Sequence, residues 1–371
     1  MVIFTSICAN YLHKARVLGR SVKQNIPDAT FVVCMTEREK TPAMEYEAFD
    51  SVVLSKDMWE GNFEQFIFQH AIVEASTAVK GRFFQYLYKA YPNEDQFVYL
   101  DPDCRVYGDF TELRELLREH PIVVCPHVLE PGNIDMEISS MAHGVYNLGF
   151  LGVNRTEEAR KMIDWWAARL DNYCYDDIPN GIFTDQKWID LAPCFFDTYI
   201  CKHHGYDFAT WRMKDSGLER REDGWYLQGE PLRFVHFSGY GALMEQCMRN
   251  WLPEGEKEYH TLYAEYCAEH EAANADGVSK TPWTYDRYLS GETIRTDIRT
   301  AYRKTNEVRW AYPDPFTYSN MFFNLRLNVY PISFSDKLHI WSDGCRRALA
   351  AEGFGGMVRK ICARLKAKLF H

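Results

Sequence analysis

The feature that most constrains the fold is an alternation of short apolar runs with longer helical patterns over the first third of the chain. Five runs have the length and apolar content of buried strands, and they cover 2–6, 31–35, 51–55, 97–101 and 122–126. Apolar residues recurring every three or four positions predict helices over 13–25, 62–91 and 109–119. This order predicts an α/β fold with a partly parallel sheet, which binds ligands beyond the carboxyl ends of its strands.

The rest of the chain divides into further strand and helix patterns. Strands are predicted over 147–153, near 195–200 and over 233–239, and a long helix over 155–173. From about 251, helical patterns rich in Glu, Tyr and Arg replace the strand-like runs, and their aromatic residues either shape a binding site or brace the sheet. We therefore predict three parts, an α/β domain over 1–250, a helical appendage over 251–344 and a tail over 345–371.

Charge and cysteine usage exclude several classes of function. The net charge of −10 argues against general nucleic-acid binding, which requires phosphate neutralisation. No apolar stretch is long enough to span a membrane, and the N-terminus is typical of a first strand rather than a signal peptide. The 11 cysteines are scattered without a CxxC pair, which predicts a reducing, cytoplasmic setting and no zinc framework.

The tail over 345–371 reverses the charge of the chain. It contains seven Lys and Arg residues against one acid, Glu352, and its apolar residues fall on one helical face. Such a basic amphipathic helix either lies on an anionic membrane surface, at the inner face of the membrane, or docks on its own acidic domain. The sequence leaves both interpretations open.

A pair of aspartates follows the fourth predicted strand. In FVYLDPDCRVYGDF (97–110), Asp101 and Asp103 flank Pro102. Asp-Pro is ordinary turn chemistry, so the motif is consistent with a simple corner. Two carboxylates separated by one residue at a strand end can equally supply hard oxygen ligands for Mg²⁺ or Mn²⁺. Taken alone, the motif favours the turn.

Neighbouring segments change that interpretation because five of them, in order, resemble glycosyltransferase family eight. They are IFTSICANYLHKARVLGRSVKQNIP (3–27), FVYLDPDCRVYGDF (97–110), YNLGFLGVNR (146–155), FTDQKWID (183–190) and VHFSG (235–239). Two segments, HGVYNLGFL (143–151) and CYDDIPNGIFTDQKWIDLAPCFF (174–196), are similar to a divergent bacterial group of glycosyltransferases that is often linked to surface polysaccharides. The resemblance covers residues 1–245.

This resemblance implies a GT-A fold, that is, a Rossmann-like mixed sheet flanked by helices, here with a helical C-terminal region. It also implies transfer of a sugar from a nucleotide-diphosphate donor, with UDP-sugars favoured and the anomeric configuration retained, to a glycan or lipid-linked acceptor. By the same resemblance Asp101, Asp103 and His236 are the ligands of Mn²⁺ or Mg²⁺. A lone histidine at a strand end is otherwise more often structural.

The resemblance also implies roles for other residues. Asp185 and Gln186 match polar positions of the sugar pocket and are the predicted catalytic residues, and Asp185 is equally consistent with a helix cap. Lys80 stands where the family places a donor-binding cation, or else on a solvated helix face. The remaining predicted donor-binding residues are Thr5, Ser6, Ala9, Asn10 and Tyr11 in the first loop, with Asp101, Asn147 and Gly239.

One departure from the family keeps two other functions open. The family's Lys-Pro-Trp after His-x-x-Gly is replaced by Tyr240-Gly241-Ala242, which removes a diphosphate-binding lysine. A catalytically silent protein that binds nucleotide sugars or polysaccharides would also fit such a chain. A sugar-nucleotide nucleotidylyltransferase fits less well, since the glycine-rich loop after its first strand is absent here.

Overall fold

The computed structural model describes residues 1–331 apart from 133 and 216. Residues 1–319 form one compact unit, and the described residues from 320 onward belong to a second. The predicted division near 250 lies inside the first unit and remains a prediction. The predicted tail over 345–371 lies outside the described residues. Among the described helices, none is both long and apolar enough to cross a membrane.

The strands of the described residues are short except in the main sheet. They are β1 (Val2–Ile7), β2 (Thr30–Met35), β3 (Ser51–Leu54), β4 (Gln96–Leu100), β5 (Cys104–Val106), β6 (Ile122–Pro126), β7 (Tyr146–Asn154), β8 (Asp176–Asp177), β9 (Ile182–Phe183), β10 (Thr198–Ile200), β11 (Phe208–Ala209), β12 (Leu218–Arg221), β13 (Gly224–Leu227), β14 (Glu230–Pro231) and β15 (Phe234–His236).

The α-helices alternate with these strands and then replace them. They are α1 (Leu12–Asn25), α2 (Phe63–Phe68), α3 (Ile72–Ala78), α4 (Lys80–Ala90), α5 (Thr111–Glu119), α6 (Ile134–His143), α7 (Glu157–Tyr173), α8 (Gln186–Ile189), α9 (Ala192–Phe195), α10 (Ala242–Trp251), α11 (Glu258–Ala273), α12 (Thr296–Lys304), α13 (Asn306–Ala311) and α14 (Asn320–Leu327).

The main sheet has seven strands in the order β10-β6-β7-β4-β1-β2-β3. Only β7 among them runs antiparallel to its neighbours, β4 and β6, and the other pairs are parallel. The beginning of β7 therefore lies at the same edge as the carboxyl ends of the other strands. This confirms the predicted α/β fold with a mixed sheet flanked by helices and a helical C-terminal region.

Side chains alternate between the two faces of the sheet, and helices cover both. On one face, Ile3 and its neighbours belong to a core cluster that includes Leu18 of α1 and Leu117 of α5. On the other face, Phe4 packs 4.7 Å from the ring of Phe84, on α4. Both faces of the sheet are therefore buried, as the continuous apolar runs of its strands require.

The single helix predicted over 62–91 is wrong, because this segment forms the three helices α2, α3 and α4. The first break lies between Phe68 and Ile72. There the carboxylate of Glu74 accepts a hydrogen bond from the backbone N–H of Ala71 at 2.7 Å and so caps the start of α3. The apolar periodicity continues through such a break, which is why the sequence pattern did not reveal it.

Helix α4 packs closely on α7, and a glycine makes this possible. A Cβ atom added to Gly81 would lie 2.7 Å from the Cα of Ala167, closer than packed atoms approach one another. The preceding residue, Lys80, is buried by this arrangement, with 2% of its surface exposed. The alternative that Lys80 lies on a solvated helix face is therefore wrong.

Part of the region after 250 packs against two sheets, the main sheet and the small sheet β11-β15-β5. The indole of Trp283 donates a hydrogen bond to the backbone oxygen of Thr36, which follows β2, at 2.9 Å. Tyr266 on α11 stacks on Phe237 with ring centroids 3.8 Å apart. Trp251, at the end of α10, instead lines the cavity described below.

Candidate active site

The segment Asp101-Pro102-Asp103 is both a turn and part of a site. The backbone N–H of Cys104 donates to the oxygen of Asp101 at 3.0 Å, which closes a tight turn between β4 and β5. This turn moves the chain from the main sheet into the small sheet β11-β15-β5. Both aspartates line a cavity of about 800 Å³ at the carboxyl ends of the main strands.

Strand pairing brings His236 to these aspartates from 133 residues further along the chain. Strand β15 runs antiparallel to β5, with His236 opposite Cys104. The imidazole Nε2 lies 3.1 Å from an oxygen of Asp103 and 3.6 Å from one of Asp101. One ligand atom from each of the three residues lies within 4.8 Å of the others.

This group of atoms fits a divalent cation. Two carboxylates and one imidazole are hard or intermediate ligands of the kind that Mn²⁺ and Mg²⁺ accept in proteins. The three side chains converge on one point: Asp101 and Asp103 come from the turn between β4 and β5, and His236 comes from the end of β15. The donor set predicted from the sequence is thus brought together by the fold.

The charges of the ligands depend on one another. Burial by itself lowers the pKa of His236, but the carboxylates of Asp103 and Asp207 outweigh burial and raise it to about 10. Burial likewise opposes ionisation of Asp103, while Lys14 and His236 hold its pKa well below the usual range. His236 must therefore release a proton before its Nε2 can act as a ligand.

Two buried lysines and a tyrosine contact the aspartates. The ammonium of Lys14 lies 3.4 Å from Asp103, and that of Lys80 lies 3.4 Å from Asp101. The hydroxyl of Tyr99 donates a hydrogen bond to Asp101. Burial, reinforced by Asp101, raises the pKa of Tyr99, so its hydroxyl keeps the proton that it donates.

The side chain of Asp185 forms an ion pair and does not cap a helix. It stands at the start of α8, yet its side chain accepts no capping hydrogen bond from that helix. An oxygen of Asp185 instead lies 2.8 Å from the ammonium of Lys80, and both side chains are almost fully buried. Burial opposes the positive charge of Lys80, but Asp101 and Asp185 outweigh it and raise the pKa of Lys80. The capping role considered for Asp185 is therefore wrong.

Gln186 and Asn147 are fixed by hydrogen bonds at the same edge of the sheet. The Gln186 side-chain oxygen accepts from the backbone of Leu148 at 2.9 Å, and its amide donates to the oxygen of His143 at 3.2 Å. The Asn147 oxygen lies 3.1 Å from Nδ1 of His236. Both side chains line the cavity, so the fold gathers them beside the possible metal ligands.

Some of the predicted donor-binding residues of the first loop line the cavity. Among the described residues, the cavity lining includes Ser6, Asn10 and Tyr11 but not Thr5 or Ala9. The backbone N–H of Ala9 donates to Glu37, and Thr5 is fully buried in β1. Gly239 follows the lining residue Ser238, and its φ of +75° explains the need for glycine there. The donor-binding roles of these residues remain predictions.

The other end of the cavity is apolar. Leu243, Cys247 and Trp251 recur every four residues along one face of α10 and line it. Leu243 is 60% exposed, and on α3 Val73, which also lines the cavity, is 63% exposed. The cavity thus joins a charged end at the aspartates to an aliphatic mouth.

Several of these residues escaped the sequence analysis. Tyr99 could have been found, because it stands two positions before Asp101, and residues two apart on a strand share a face. Lys14 and Asp207 gave no local signal, since α1 and β11 reach the site only through tertiary packing. The apolar stripe of α10, formed by Leu243, Cys247 and Trp251, has the same pattern as that of an ordinary core-facing helix, so the sequence did not mark it as part of the site.

Comparison with known proteins gives partial similarities. No family model matches the chain. The uncharacterized protein YfnF of Bacillus subtilis (strain 168) is 27% identical over 177 residues, which are 44% of this chain and 55% of YfnF. The uncharacterized protein YfnD of the same organism is 26% identical over 106 residues, 28% of this chain and 34% of YfnD. The chain therefore spans about half the length of the first relative and a third of the second.

Solved structures similar to the chain are glycosyltransferases. The galactosyltransferase LgtC, in complex with donor and acceptor sugar analogs, is 16% identical with a TM-score of 0.45, covering 73% of this chain and 96% of LgtC. The glycosyltransferase GlyE of Streptococcus pneumoniae TIGR4 is 15% identical with a TM-score of 0.42, covering 76% of this chain and 65% of GlyE. Identities and TM-scores this low establish neither a family nor an activity for this chain.

Proposed function

We propose that the protein is a metal-dependent glycosyltransferase of the GT-A type that uses a nucleotide-diphosphate sugar, with UDP-sugars favoured. The observation that carries the proposal is the convergence of Asp101, Asp103 and His236 in a cavity of about 800 Å³ at the carboxyl ends of the strands. Ligands of α/β sheets bind at this edge. The five segments that resemble glycosyltransferase family eight supply most of the polar residues of the same cavity.

Each ligand residue has a defined part in this proposal. Asp101, Asp103 and His236 would hold Mn²⁺ or Mg²⁺. Such an ion, when bound, neutralises the negative charge that develops on the diphosphate as the C1–O bond of the sugar breaks. The buried ammonium groups of Lys14 and Lys80 add positive charge on either side of the two aspartates.

Asp185 is the residue that we propose stabilises the reacting sugar. Its carboxylate is held by Lys80 at 2.8 Å beside the cavity, where it can stabilise positive charge on an oxocarbenium-like sugar. Gln186 adds an amide in a fixed orientation. Retention of the anomeric configuration rests on the family resemblance, and no nucleophile is assigned.

The mouth of the cavity supports a lipid-linked acceptor over a free glycan. Leu243 and Val73 expose more than half of their surface there, and the buried Cys247 also lines the cavity. Exposed aliphatic side chains beside a polar site favour an acceptor with a hydrocarbon group, because such a group gains free energy by leaving water.

Membrane contact through the tail is a separate proposal that rests on the sequence alone. Seven basic residues against one acid over 345–371 would attract an anionic surface from the cytoplasmic side. Removal of residues 357–371 should reduce sedimentation with anionic vesicles and leave sedimentation with neutral vesicles unchanged. Unchanged partitioning into anionic vesicles would assign the tail to packing on its own domain.

A screen of nucleotide sugars tests the function. In the presence of Mn²⁺, the correct donor should raise the melting temperature of the protein, because it binds the folded state. Release of free UDP or GDP from that donor on addition of a lipid-linked acceptor would establish transfer. Stabilisation by a donor without turnover on any acceptor would support the silent binding protein instead.

A further inference from the structure

Asp207 is a buried carboxylate for which the fold supplies no hydrogen bond. It is fully buried, and neither of its oxygens has a hydrogen-bond partner among the described residues. One of these oxygens lies 3.6 Å from Nδ1 of His236. A buried carboxylate without hydrogen bonds costs several kcal/mol, roughly, unless a nearby charge compensates it, so its presence beside His236 needs a reason.

Backbone conformation explains only part of this choice of residue. Asp207 has a φ of +53°, in the left-handed region where Asp, Asn and Gly are the residues best tolerated. Asn or Gly would satisfy the same turn without burying a charge. The turn therefore accounts for a small residue at 207 but not for a carboxylate.

Strand pairing places this carboxylate behind His236. Strand β11, which begins directly after Asp207, pairs in parallel with β15 so that Ala209 lies opposite His236. Strand β5 flanks β15 on the other side and follows Asp103. The imidazole therefore has Asp103 at Nε2 and Asp207 at Nδ1, on opposite edges of the ring.

The second neighbour of Nδ1 is the amide of Asn147. Its oxygen lies 3.1 Å from Nδ1 and also accepts a hydrogen bond from the backbone of Gly149 at 2.8 Å. A neutral amide fixes the direction of a proton on Nδ1 but adds little to the basicity of Nε2. A carboxylate supplies that additional effect, since its negative charge favours electron donation by the ring.

We propose that Asp207 is a positioning residue for His236, an inference that rests on the proposed metal-dependent function. The Asn147 amide receives the proton of the neutral imidazole on Nδ1, and the negative charge of Asp207 beside it favours that arrangement, which leaves the lone pair of Nε2 directed at Asp101 and Asp103. Asp207 also raises the affinity of Nε2 for a divalent cation. A histidine ligand held by a carboxylate at its other nitrogen is a general arrangement of metal sites.

Calorimetric titration of the full chain with Mn²⁺ tests this role. Asp207→Asn and Asp207→Gly both suit the backbone and both remove the charge, and each should weaken Mn²⁺ binding roughly 10- to 100-fold. Glu74→Gln is the matched control, because it removes a buried carboxylate, paired with Arg303 at 2.9 Å, that lies outside the site. It should lower the melting temperature and leave the Mn²⁺ dissociation constant unchanged.

A spectroscopic measurement separates positioning from a merely structural role. In long-range ¹H–¹⁵N spectra, Mg²⁺ should shift the Nε2 signal of wild-type His236, and at the same Mg²⁺ concentration Asp207→Asn should show a smaller shift while Glu74→Gln matches the wild type. Wild-type affinity for Mn²⁺ in both Asp207 variants would overturn the role of Asp207 while leaving the metal site intact. A wild-type chain that binds no Mn²⁺ would overturn the metal site and, with it, this inference.

Discussion

At the scale of single residues, the site depends on how its buried charges are paired. Lys80 has 2% of its surface exposed and lies between the carboxylates of Asp101 and Asp185. Such a group is stable only while its partners remain, because an isolated buried charge is far less stable than a hydrated one. The same ammonium holds Asp185 in place beside the cavity, so stability and the proposed chemistry share one ion pair.

Removal of the Lys80 charge should therefore destabilise the fold. Lys80→Met should lower the free energy of unfolding by about 3 kcal/mol, because two carboxylates lose their buried cation. Urea unfolding measures this change. Lys89→Met, on the exposed side of the same helix, is the control and should change the free energy by roughly 0.5 kcal/mol or less.

A double variant identifies the cause of that loss. Lys80→Met combined with Asp185→Asn should be less destabilised than the sum of the two single variants, since it removes both members of the pair. Equal effects of Lys80→Met and Lys89→Met would contradict the assignment of Lys80 as a buried counter-ion.

Local sequence identified only some of the site residues. Asp101 and Asp103 were predictable because a buried strand and a proline turn are visible in the sequence. The burial of Lys80 was not predictable, since it depends on how closely Gly81 lets α4 approach Ala167 on α7. The prediction that Asp185 caps a helix failed for a similar reason: its partner, Lys80, lies on a helix that is distant in the sequence.

At the scale of elements, the strands of the main sheet follow the sequence closely and the helices less so. Buried strands are continuous apolar runs bounded by polar residues, so their positions are readable. The helix boundaries within 62–91 were not readable, because periodicity alone does not reveal where one amphipathic helix ends and another begins. Helix α10 presents a similar ambiguity, since its apolar face lines the cavity rather than packing entirely in the core.

The cavity face of α10 gives a prediction about the acceptor. Leu243→Asp should raise the KM for a lipid-linked acceptor roughly tenfold, because it replaces an aliphatic contact worth about 1.5 kcal/mol or more. The affinity for the nucleotide with Mn²⁺ should not change. Leu289→Asp is the control, since Leu289 is 69% exposed and is not among the described residues that line the cavity.

Kinetics with a lipid-linked acceptor and with a free glycan would decide which of them the mouth of the cavity binds. A Leu243→Asp enzyme with unchanged KM for a lipid-linked acceptor would argue against a hydrocarbon group in the mouth. A higher turnover with a free glycan than with the lipid-linked form would argue against it as well.

At the scale of the whole molecule, buried histidines link stability to pH. Burial lowers the pKa of five described histidines: to about 3 for His70, to about 4 for His13, His127 and His270, and below its ordinary value for His203. These groups stay neutral in the folded protein while the unfolded chain binds protons below about pH 6.5. Their contribution to stability is therefore complete above that pH and is lost as the pH falls toward 4. His236 acts in the opposite sense, because its pKa is raised to about 10: its contribution to stability is complete below about pH 6.5 and is lost as the pH rises toward 10.

His70 allows this linkage to be measured at one position. His70→Gln should reduce the dependence of unfolding free energy on pH by about 1.4 kcal/mol per pH unit between pH 6 and 4. Denaturant unfolding at several pH values gives the slope. His260→Gln, at an exposed position, should leave the slope unchanged, and an equally steep slope in His70→Gln would show that His70 does not stay neutral in the fold.

Calorimetry of UDP and GDP with and without Mn²⁺ is the sharpest test of the proposed metal-dependent nucleotide site. One nucleotide should bind tightly only with Mn²⁺, and Asp103→Ala should weaken this binding by a factor of roughly ten or more, since it removes one of three ligands. Asp109→Ala, at an exposed aspartate outside the cavity, should leave the affinity unchanged. If neither nucleotide binds, or if Asp103→Ala binds with unchanged metal dependence, the proposed metal site is wrong.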